Sequence, residues 1–280
     1  SLGISGLGNE AVTISDISID ASVLNTLDSN TTGVIDASTV TTLTGSASDL
    51  NTAYSSSGIS GLGNEALNLT DTALAASVLN TLDGNTTGVA NASTVTTLSG
   101  FAADLITAYS SSGISGLGNE AVTISDISID ASALNILDEN TTGVVNASKV
   151  TTLTGSLADI NAVYTANTAG TISGLGDEAI TLSDTTLAAA DLNTLNGLTT
   201  GVVNAATVTT LTGTAAAANT AYDAGTAGTI SNLGNEAVTL TDTTLAASVL
   251  NTVDGNTSGA VNASTVTTLT GTAAAANTAY

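Results

Sequence analysis

The stretch Gly-Leu-Gly-Asn-Glu at residues 61–65 decides how the chain is interpreted, because it is one of five copies. The other copies begin at Gly6, Gly116, Gly174 and Asn232, with a single substitution in each of the last two. Successive copies start 55, 55, 58 and 58 residues apart. A regular period of this size predicts structural units stacked on one another, since a unit this short cannot bury its apolar side chains alone.

Each repeat contains a second, weaker repeat. Residues 237–252 and 207–220 both run from a segment rich in Thr and Val, through an Ala-rich segment, to Asn-Thr. We therefore expect two coils per repeat, each of roughly 25 to 30 residues. The whole chain, 1–280, is predicted to be a single elongated solenoid of five repeats, at about 1–57, 58–112, 113–170, 171–228 and 229–280.

The local patterns within a repeat predict the elements of each coil. Residues 11–15 and 39–44 are β-branched and nearly alternating, which favours half-buried strands. Residues 20–27 and 187–195 combine helix formers with apolar residues three and four apart, which predicts one to two helical turns. Residues 28–33 predict a turn that ends in a Gly able to take positive φ. The predicted fold is a repeat solenoid of parallel β-strands with short helices or helical turns, and a pure right-handed β-helix is the alternative.

The charge of the chain is almost entirely negative. Lys149 is the only basic residue against 24 carboxylates, so the net charge is −23. Such a surface repels phosphate, so we expect no nucleic-acid partner and no attraction to anionic membranes. The sequence also has no run of about 18 apolar residues, which predicts no membrane insertion.

The residue types on which catalysis most often depends are missing. The chain contains no His and no Cys, which removes the commonest general base and the thiolate nucleophile. Lys149, where other copies have Thr, is the one irregularity around which a lyase or hydrolase site could be built, and a surface substitution explains it more simply. We expect no enzyme and no organic cofactor.

Carboxylates recur once per repeat at two positions, one before and one after the first strand, and we call these two sets of residues the acidic columns. Calcium needs about six to eight converging oxygen ligands, so only weak binding between neighbouring columns is predicted. The alternative interpretation is that these residues are solvated turn and helix-capping groups. The candidate calcium ligands are Asp16, Asp71, Asp126, Asp184 and Asp242 after the strand, and Glu10, Glu65, Glu120, Glu178 and Glu236 before it.

Three other residue types recur with the same period. Asn25 and its counterparts are predicted to hydrogen-bond along the stack as a ladder that satisfies turn backbone. Tyr54 and its counterparts are predicted to pack their rings over helix ends with their hydroxyls in water, the alternative being an exposed row that stacks on carbohydrate. The Thr-Val-Thr segments, such as 39–41, are explained by β-propensity, and the alternative is an ice-binding face.

The segments at 59–66, 79–88 and 261–271 resemble the tandem repeats of very large bacterial surface proteins, particularly those of marine cyanobacteria. This resemblance implies cell-surface or extracellular placement and a structural or adhesive role. We expect a stalk or filament segment whose partners are adjoining repeats or further copies of itself, stacked end to end. One alternative is an adhesin that binds carbohydrate or calcium through a repeated face. The other alternative is an ice-binding protein.

Overall fold

The computed structural model describes residues 4–280, in which short parallel strands alternate with α-helices. The helices recur twice per repeat, which confirms the prediction of two coils per repeat. They are α1 Ala21–Asn30, α2 Ala47–Ser55, α3 Ala76–Asn85, α4 Ala102–Ser110, α5 Ala131–Asn140, α6 Leu157–Ala169, α7 Ala189–Asn196, α8 Ala215–Ala227, α9 Ala247–Asn256 and α10 Ala273–Ala279.

The strands are two to four residues long and lie between the helices. Those up to α5 are β1 Val12–Thr13, β2 Ser18–Asp20, β3 Ile35–Asp36, β4 Thr42–Gly45, β5 Ile59–Ser60, β6 Ala66–Leu69, β7 Ala73–Ala75, β8 Ala90–Asn91, β9 Thr97–Gly100, β10 Ile114–Ser115, β11 Ala121–Ile124 and β12 Ser128–Asp130. Those after α5 are β13 Val145–Asn146, β14 Thr152–Gly155, β15 Ile172–Ser173, β16 Ala179–Leu182, β17 Thr186–Ala188, β18 Val203–Asn204, β19 Thr210–Gly213, β20 Ile230–Ser231, β21 Ala237–Leu240, β22 Thr244–Ala246, β23 Val261–Asn262 and β24 Thr268–Thr270.

The chain forms two compact units. Unit 1 comprises the residues up to Ser125 together with Ile136–Asn146, and unit 2 comprises Asp126–Asn135 together with Ala147–Tyr280. Each unit is a repeat solenoid in which every paired strand is parallel to its neighbours. The interpretation of 1–280 as one domain stays a prediction.

Each unit contains several short sheets that run from coil to coil. Unit 1 has the strand orders β1-β3-β5, β2-β4-β6-β8-β10 and β7-β9-β11-β13. Unit 2 has the orders β12-β14-β16-β18-β20, β17-β19-β21-β23 and β22-β24. Partners are separated by one coil in sequence, as in the pairing of Leu43 with both Ile19 and Leu67. Parallel pairing with this separation requires a crossover, and the helices provide it.

The core of each coil is a thin layer of aliphatic side chains. In unit 1, Leu43 of β4 and Leu67 of β6 are fully buried, as are Ala76, Leu79 and Leu82 on one face of α3. The helical residues are spaced three apart, which is the spacing that places side chains on one helix face. The core therefore lies between the strands and the helix of each coil.

The structure confirms the predicted solenoid of parallel strands and helices but corrects its proportions. Most of the helices exceed the predicted one to two turns, with α1 at 10 and α6 at 13 residues, and the pure β-helix alternative is wrong. The predicted turn at 28–33 begins inside a helix, since α1 runs to Asn30. Burial explains the extension, because the equivalent helix α3 keeps Leu79 and Leu82 in the core, and packing overrides the turn preference of the residues that follow.

Candidate functional site

The repeated Gly-Leu-Gly-Asn-Glu segment folds into a turn that closes on its own glutamate. Gly61 and Gly63 adopt positive φ, at 84° and 133°, which L-residues with a side chain rarely reach. The turn brings the Gly63 N–H within 2.9 and 3.0 Å of the two carboxylate oxygens of Glu65. The hydroxyl of Tyr54, from the end of α2, donates to the same carboxylate at 2.8 Å. Glu65 is fully buried, and its carboxylate is satisfied by partners from two elements.

The same arrangement recurs in the later repeats. Glu120 accepts from Gly118 N–H and from the Tyr109 hydroxyl, and Glu178 accepts from Gly176 N–H and from the Tyr164 hydroxyl. The carboxylate of Glu236 accepts from the N–H groups of Gly234 and Asn235. Glu120, Glu178 and Glu236 are at most 1% exposed. The interpretation of these glutamates as solvated turn residues is therefore wrong, because backbone and phenol donors replace water around each buried charge.

The first copy differs in its surroundings. Glu10 is only half-buried and accepts from the N–H groups of Gly8 and Asn9. The hydrogen bond from Gly8 is the largest of the effects that hold the pKa of Glu10 below its ordinary value. This copy shows that the turn alone can bind the carboxylate.

Tyr54, Tyr109 and Tyr164 are part of these glutamate sites, so the prediction that their hydroxyls lie in water is wrong for these three. Tyr280 is 99% exposed, as predicted. Burial, followed by the hydrogen bond to the nearby carboxylate, raises the pKa of Tyr54 and Tyr109 well above the ordinary value. Burial and the neighbouring Glu178 raise the pKa of Tyr164 in the same way. Each of these phenols therefore stays protonated and can act as a hydrogen-bond donor at physiological pH.

A Thr-x-Gly segment from the next coil packs onto each glutamate turn. The Thr86 hydroxyl donates to the Glu65 backbone carbonyl at 2.7 Å and accepts from Gly88 N–H at 2.9 Å. A Cβ on Gly88 would lie 2.3 Å from the Glu65 carbonyl oxygen. The equivalent glycines are Gly33, Gly143, Gly201 and Gly259, where the same distance is 2.2 to 2.3 Å.

This close approach corrects the predicted role of the glycine that ends the turn. Gly33 and Gly88 are not among the residues with positive φ. They are required because the backbone of one coil contacts the backbone of the next, leaving no room for a side chain.

The aspartates after the first strand hold helix N-termini in the preceding coil. Asp71 accepts from the N–H of Ala47, the first residue of α2, at 2.7 Å. Asp184 and Asp242 do the same for the first residues of α6 and α8, at 2.7 and 2.8 Å. A carboxylate at this position satisfies an N–H that has no partner within the helix and interacts favourably with the helix dipole. The capping interpretation is thus confirmed for these three aspartates, while Asp16 is exposed and Asp126 is half-buried after β11.

The structure does not bring the two columns together as a metal site. Within residues 4–280, no group of three or more carboxylate side chains is arranged to hold a metal ion. The oxygens of Asp71 and Glu65 instead accept hydrogen bonds from backbone N–H groups. Weak calcium binding by the candidate residues stays a prediction.

The recurring asparagines connect the helices of consecutive coils. Asn25 of α1 donates its amide to the Asp49 carbonyl of α2 at 2.9 Å, and Asn80 of α3 donates to the Asp104 carbonyl of α4 at 2.9 Å. In unit 2, Asn193 bonds to the Ala217 carbonyl at 2.9 Å. The predicted role along the stack is confirmed, but the acceptor is a helix carbonyl where we expected turn backbone or a second asparagine.

The threonines of the Thr-Val-Thr segments also bond to the preceding coil. The hydroxyls of Thr39 and Thr41 donate to the carbonyls of Ile14 and Ile17, at 2.6 and 3.2 Å. Thr207 and Thr209 bond in the same way to Leu182 and Thr185, at 2.8 and 3.1 Å. These hydroxyl protons take part in bonds between coils, which β-propensity did not predict.

No protein-family model, curated protein or solved structure matches the chain. The resemblance to bacterial surface repeats therefore rests on the sequence segments themselves. Across residues 4–280, no helix combines the length and the apolarity needed to cross a bilayer.

Proposed function

We propose that this chain is a structural repeat protein, a stalk or filament segment of an extracellular bacterial assembly. Stacking of one coil on the next supplies its length and stiffness. Its partners are adjoining repeats or further copies of the chain, with no nucleic acid among them, and its role is not catalytic.

The observation that carries this proposal is the use of the recurring polar side chains. Residues of the types that bind ligands in other proteins bond here to a neighbouring coil: Asp71 to α2, Asn80 to α4 and Thr86 to the glutamate turn. Each contact joins residues 21 to 24 positions apart, and related contacts occur in both units. A chain whose repeated polar groups serve stacking is suited to building an extended support.

The extracellular placement is supported by the resemblance of 59–66, 79–88 and 261–271 to bacterial surface repeats. The net charge of −23 agrees with that placement, because a charge of one sign keeps a repetitive particle soluble. Immunolabelling of intact, unpermeabilised cells of the source organism tests it. Labelling confined to permeabilised cells would contradict it.

The experiment that tests the stalk is small-angle scattering on the chain and on a lengthened variant. The variant carries a second copy of residues 58–112, which is one repeat of two coils. Because parallel strands stack about 4.8 Å apart, the maximum dimension should grow by about 10 Å with no change in cross-section. The control carries a Gly-Ser linker of equal length at the same position. Growth in the cross-section of the repeat variant would contradict the proposal.

End-to-end stacking is a separate part of the proposal and is tested by electron microscopy at a protein concentration on the order of micromolar. Uniform fibres would support a filament. Isolated particles would exclude end-to-end assembly under those conditions and would leave the stalk proposal unaffected. Samples with calcium and with a chelator show whether the acidic columns contribute to assembly.

A further inference from the structure

Four of the five repeats carry Asn-Thr-Thr or Asn-Thr-Ser where the helix of the first coil ends. Asn-x-Thr and Asn-x-Ser are the acceptor sequences for N-linked glycans when x is not proline, and in a secreted protein they lie on surface segments. In each of the four repeats the asparagine is the last residue of its helix: Asn30 of α1, Asn85 of α3, Asn140 of α5 and Asn256 of α9. The acceptor sequence therefore has a fixed place in the fold.

Coil stacking depends on the middle residue of this sequence and not on the other two. In the third repeat the middle residue is Thr141, which is buried and donates its hydroxyl to the Glu120 carbonyl at 2.6 Å. Thr142 is exposed, and its backbone N–H already donates to the Gly118 carbonyl at 2.9 Å. Its hydroxyl lies 3.4 Å from the same carbonyl, too far for a strong bond. The fourth repeat has Leu198 in place of the asparagine, so the coils stack without this amide.

The asparagine differs from the other recurring polar residues because its contact changes from repeat to repeat. Asn140 donates to the Ile136 carbonyl of its own helix at 2.7 Å, whereas the amide of Asn85 lies 3.5 Å from the side-chain oxygen of Asn51 in α2. The counterpart of Asn51 in the second repeat is Ile106, which has no acceptor in its side chain. Asn140 is accordingly exposed, while Asn85 is half-buried. No common stacking contact explains the asparagine, which indicates a role outside the stack.

A second acceptor sequence, Asn-Ala-Ser, has a local structural explanation. The side-chain oxygen of Asn91 accepts from the Ser93 N–H at 3.1 Å, which is the geometry of an Asx turn. In the first repeat Asp36 makes the same turn with the Ser38 N–H at 3.0 Å, and an aspartate has no amide to carry a glycan. The turn alone accounts for Asn-Ala-Ser, so we assign it no glycan.

We propose that Asn140 and Asn30, the two exposed members of the set, are sites of N-linked glycosylation. The side-chain nitrogen attacks the anomeric carbon of an oligosaccharide carried on a lipid diphosphate. The new N–C bond forms as the bond from that carbon to the diphosphate oxygen breaks. The lipid diphosphate leaves with the bonding electron pair, and one amide proton passes to a base of the transferase. The amide of Asn140 keeps its second N–H for the Ile136 carbonyl, so the glycan requires no change in the fold.

The test is peptide mass spectrometry on the chain purified from its source organism and cleaved before each aspartate. Peptides 138–158 and 28–35 should carry the added mass of whole sugar residues, and electron-transfer fragmentation should place it on Asn140 and Asn30. Peptide 191–222, from the fourth repeat, contains no acceptor sequence and is the internal control. Unmodified 138–158 would overturn the proposal, as would sugar on Asn146 or on a threonine hydroxyl in place of Asn140.

Two matched variants at Thr142 test the acceptor sequence itself. Thr142→Ala removes the hydroxyl of that sequence and should abolish the glycan on Asn140, whereas Thr142→Ser keeps a hydroxyl and should retain it. Both variants keep the backbone N–H that donates to the Gly118 carbonyl, so both should fold, and circular dichroism verifies this. Equal glycan occupancy in the two variants would overturn the proposal.

The glycan rests on the proposed extracellular placement, because N-linked glycans belong to secreted proteins. Immunolabelling of intact cells in the same culture separates the failure of one proposal from the failure of the other. A chain without sugar that is labelled on intact cells would overturn the glycan and leave the stalk. A chain without sugar that is labelled only after permeabilisation would overturn both.

Discussion

At the scale of single residues, the contact between Gly88 and the Glu65 carbonyl leaves no room for a side chain between two coils. Gly88→Ala places a Cβ 2.3 Å from that oxygen, so two coils must separate locally. We expect a loss of about 1 to 3 kcal/mol, measured by chemical denaturation. Gly84→Ala is the control, since Gly84 lies in α3 with nothing within 4 Å of its Cβ position. It should stabilise by about 0.5 to 1 kcal/mol, and equal losses in the two variants would refute the steric argument.

Removing a tyrosine hydroxyl should have different effects in different repeats. Tyr54→Phe leaves the buried Glu65 carboxylate without one of its donors and should cost about 1 to 3 kcal/mol. The Tyr222 hydroxyl faces the Glu236 carboxylate, which also accepts from the N–H groups of Gly234 and Asn235, so Tyr222→Phe should cost less than Tyr54→Phe. Denaturation midpoints of the two variants provide the comparison. A larger loss in Tyr222→Phe would count against the role given to the phenol donors.

Asp20 should contribute a pH-dependent part of the stability. The Ser22 hydroxyl, followed by the Ser22 N–H, bonds to its carboxylate and lowers its pKa in the folded chain. The contribution is therefore present above the unfolded-state pKa and is lost as the pH falls through the folded-state pKa. Asp20→Asn keeps a neutral N-cap, so it should unfold more easily than the unmodified chain at about pH 6 and equally easily at about pH 2. Thermal unfolding at both pH values would show this, and a difference that persists in acid would contradict it.

The glutamate sites show why these contacts could not be predicted from the sequence. The repeats identified Glu65 and Tyr54 as recurring residues, and their burial depends on the way the chain folds back. Glu65 meets a tyrosine 11 residues earlier and a threonine 21 residues later. The one available signal was that tyrosine, glutamate and Thr-x-Gly recur together in nearly every repeat, which indicates a shared site without revealing the contacts.

At the scale of elements, the helices depend on aspartates from the following coil. Asp71→Ala removes the acceptor for the first N–H of α2 and should cost about 1 kcal/mol. Hydrogen exchange at the amides of α2 should accelerate by the corresponding factor of roughly five. Asp16→Ala is the matched control, because in residues 4–280 its carboxylate accepts from no helix N–H. Acceleration confined to the Asp16 variant would contradict the capping role.

Element types were more predictable than element lengths. The residue pattern at 39–44 predicted a strand, and the structure places β4 at Thr42–Gly45. The limits of α1 and α3 could not be predicted, because Asp-Ser-Asn and Asp-Gly-Asn favour turns unless a buried leucine holds them in a helix. Local preference determined the type of each element, and packing between coils determined where it ends.

At the scale of the whole molecule, charge opposes folding. With a net charge of −23, self-repulsion should weaken as salt screens it, so the denaturation midpoint should rise with sodium chloride. Comparing the midpoints in calcium chloride and in magnesium chloride at equal concentration distinguishes charge screening from specific calcium binding. Similar midpoints with both salts would indicate that screening alone acts. A higher midpoint in calcium alone would establish a specific site.

In unit 1, paired strands are closer together in sequence than consecutive helices are. Strand partners such as Ile19, Leu43 and Leu67 are 24 residues apart, whereas α1, α2 and α3 begin 26 and then 29 residues apart. The strands of one sheet therefore change their position relative to the helices from coil to coil, and the sheet ends. The sheet β2-β4-β6-β8-β10 is continuous over the coils in which β1-β3-β5 ends and β7-β9-β11-β13 begins. Under tension, no single plane across unit 1 cuts every sheet at its end. If strands separate at the end of one sheet, the neighbouring sheet is still fully paired at that level. The mechanical load is therefore shared between sheets, and rupture does not spread along one boundary.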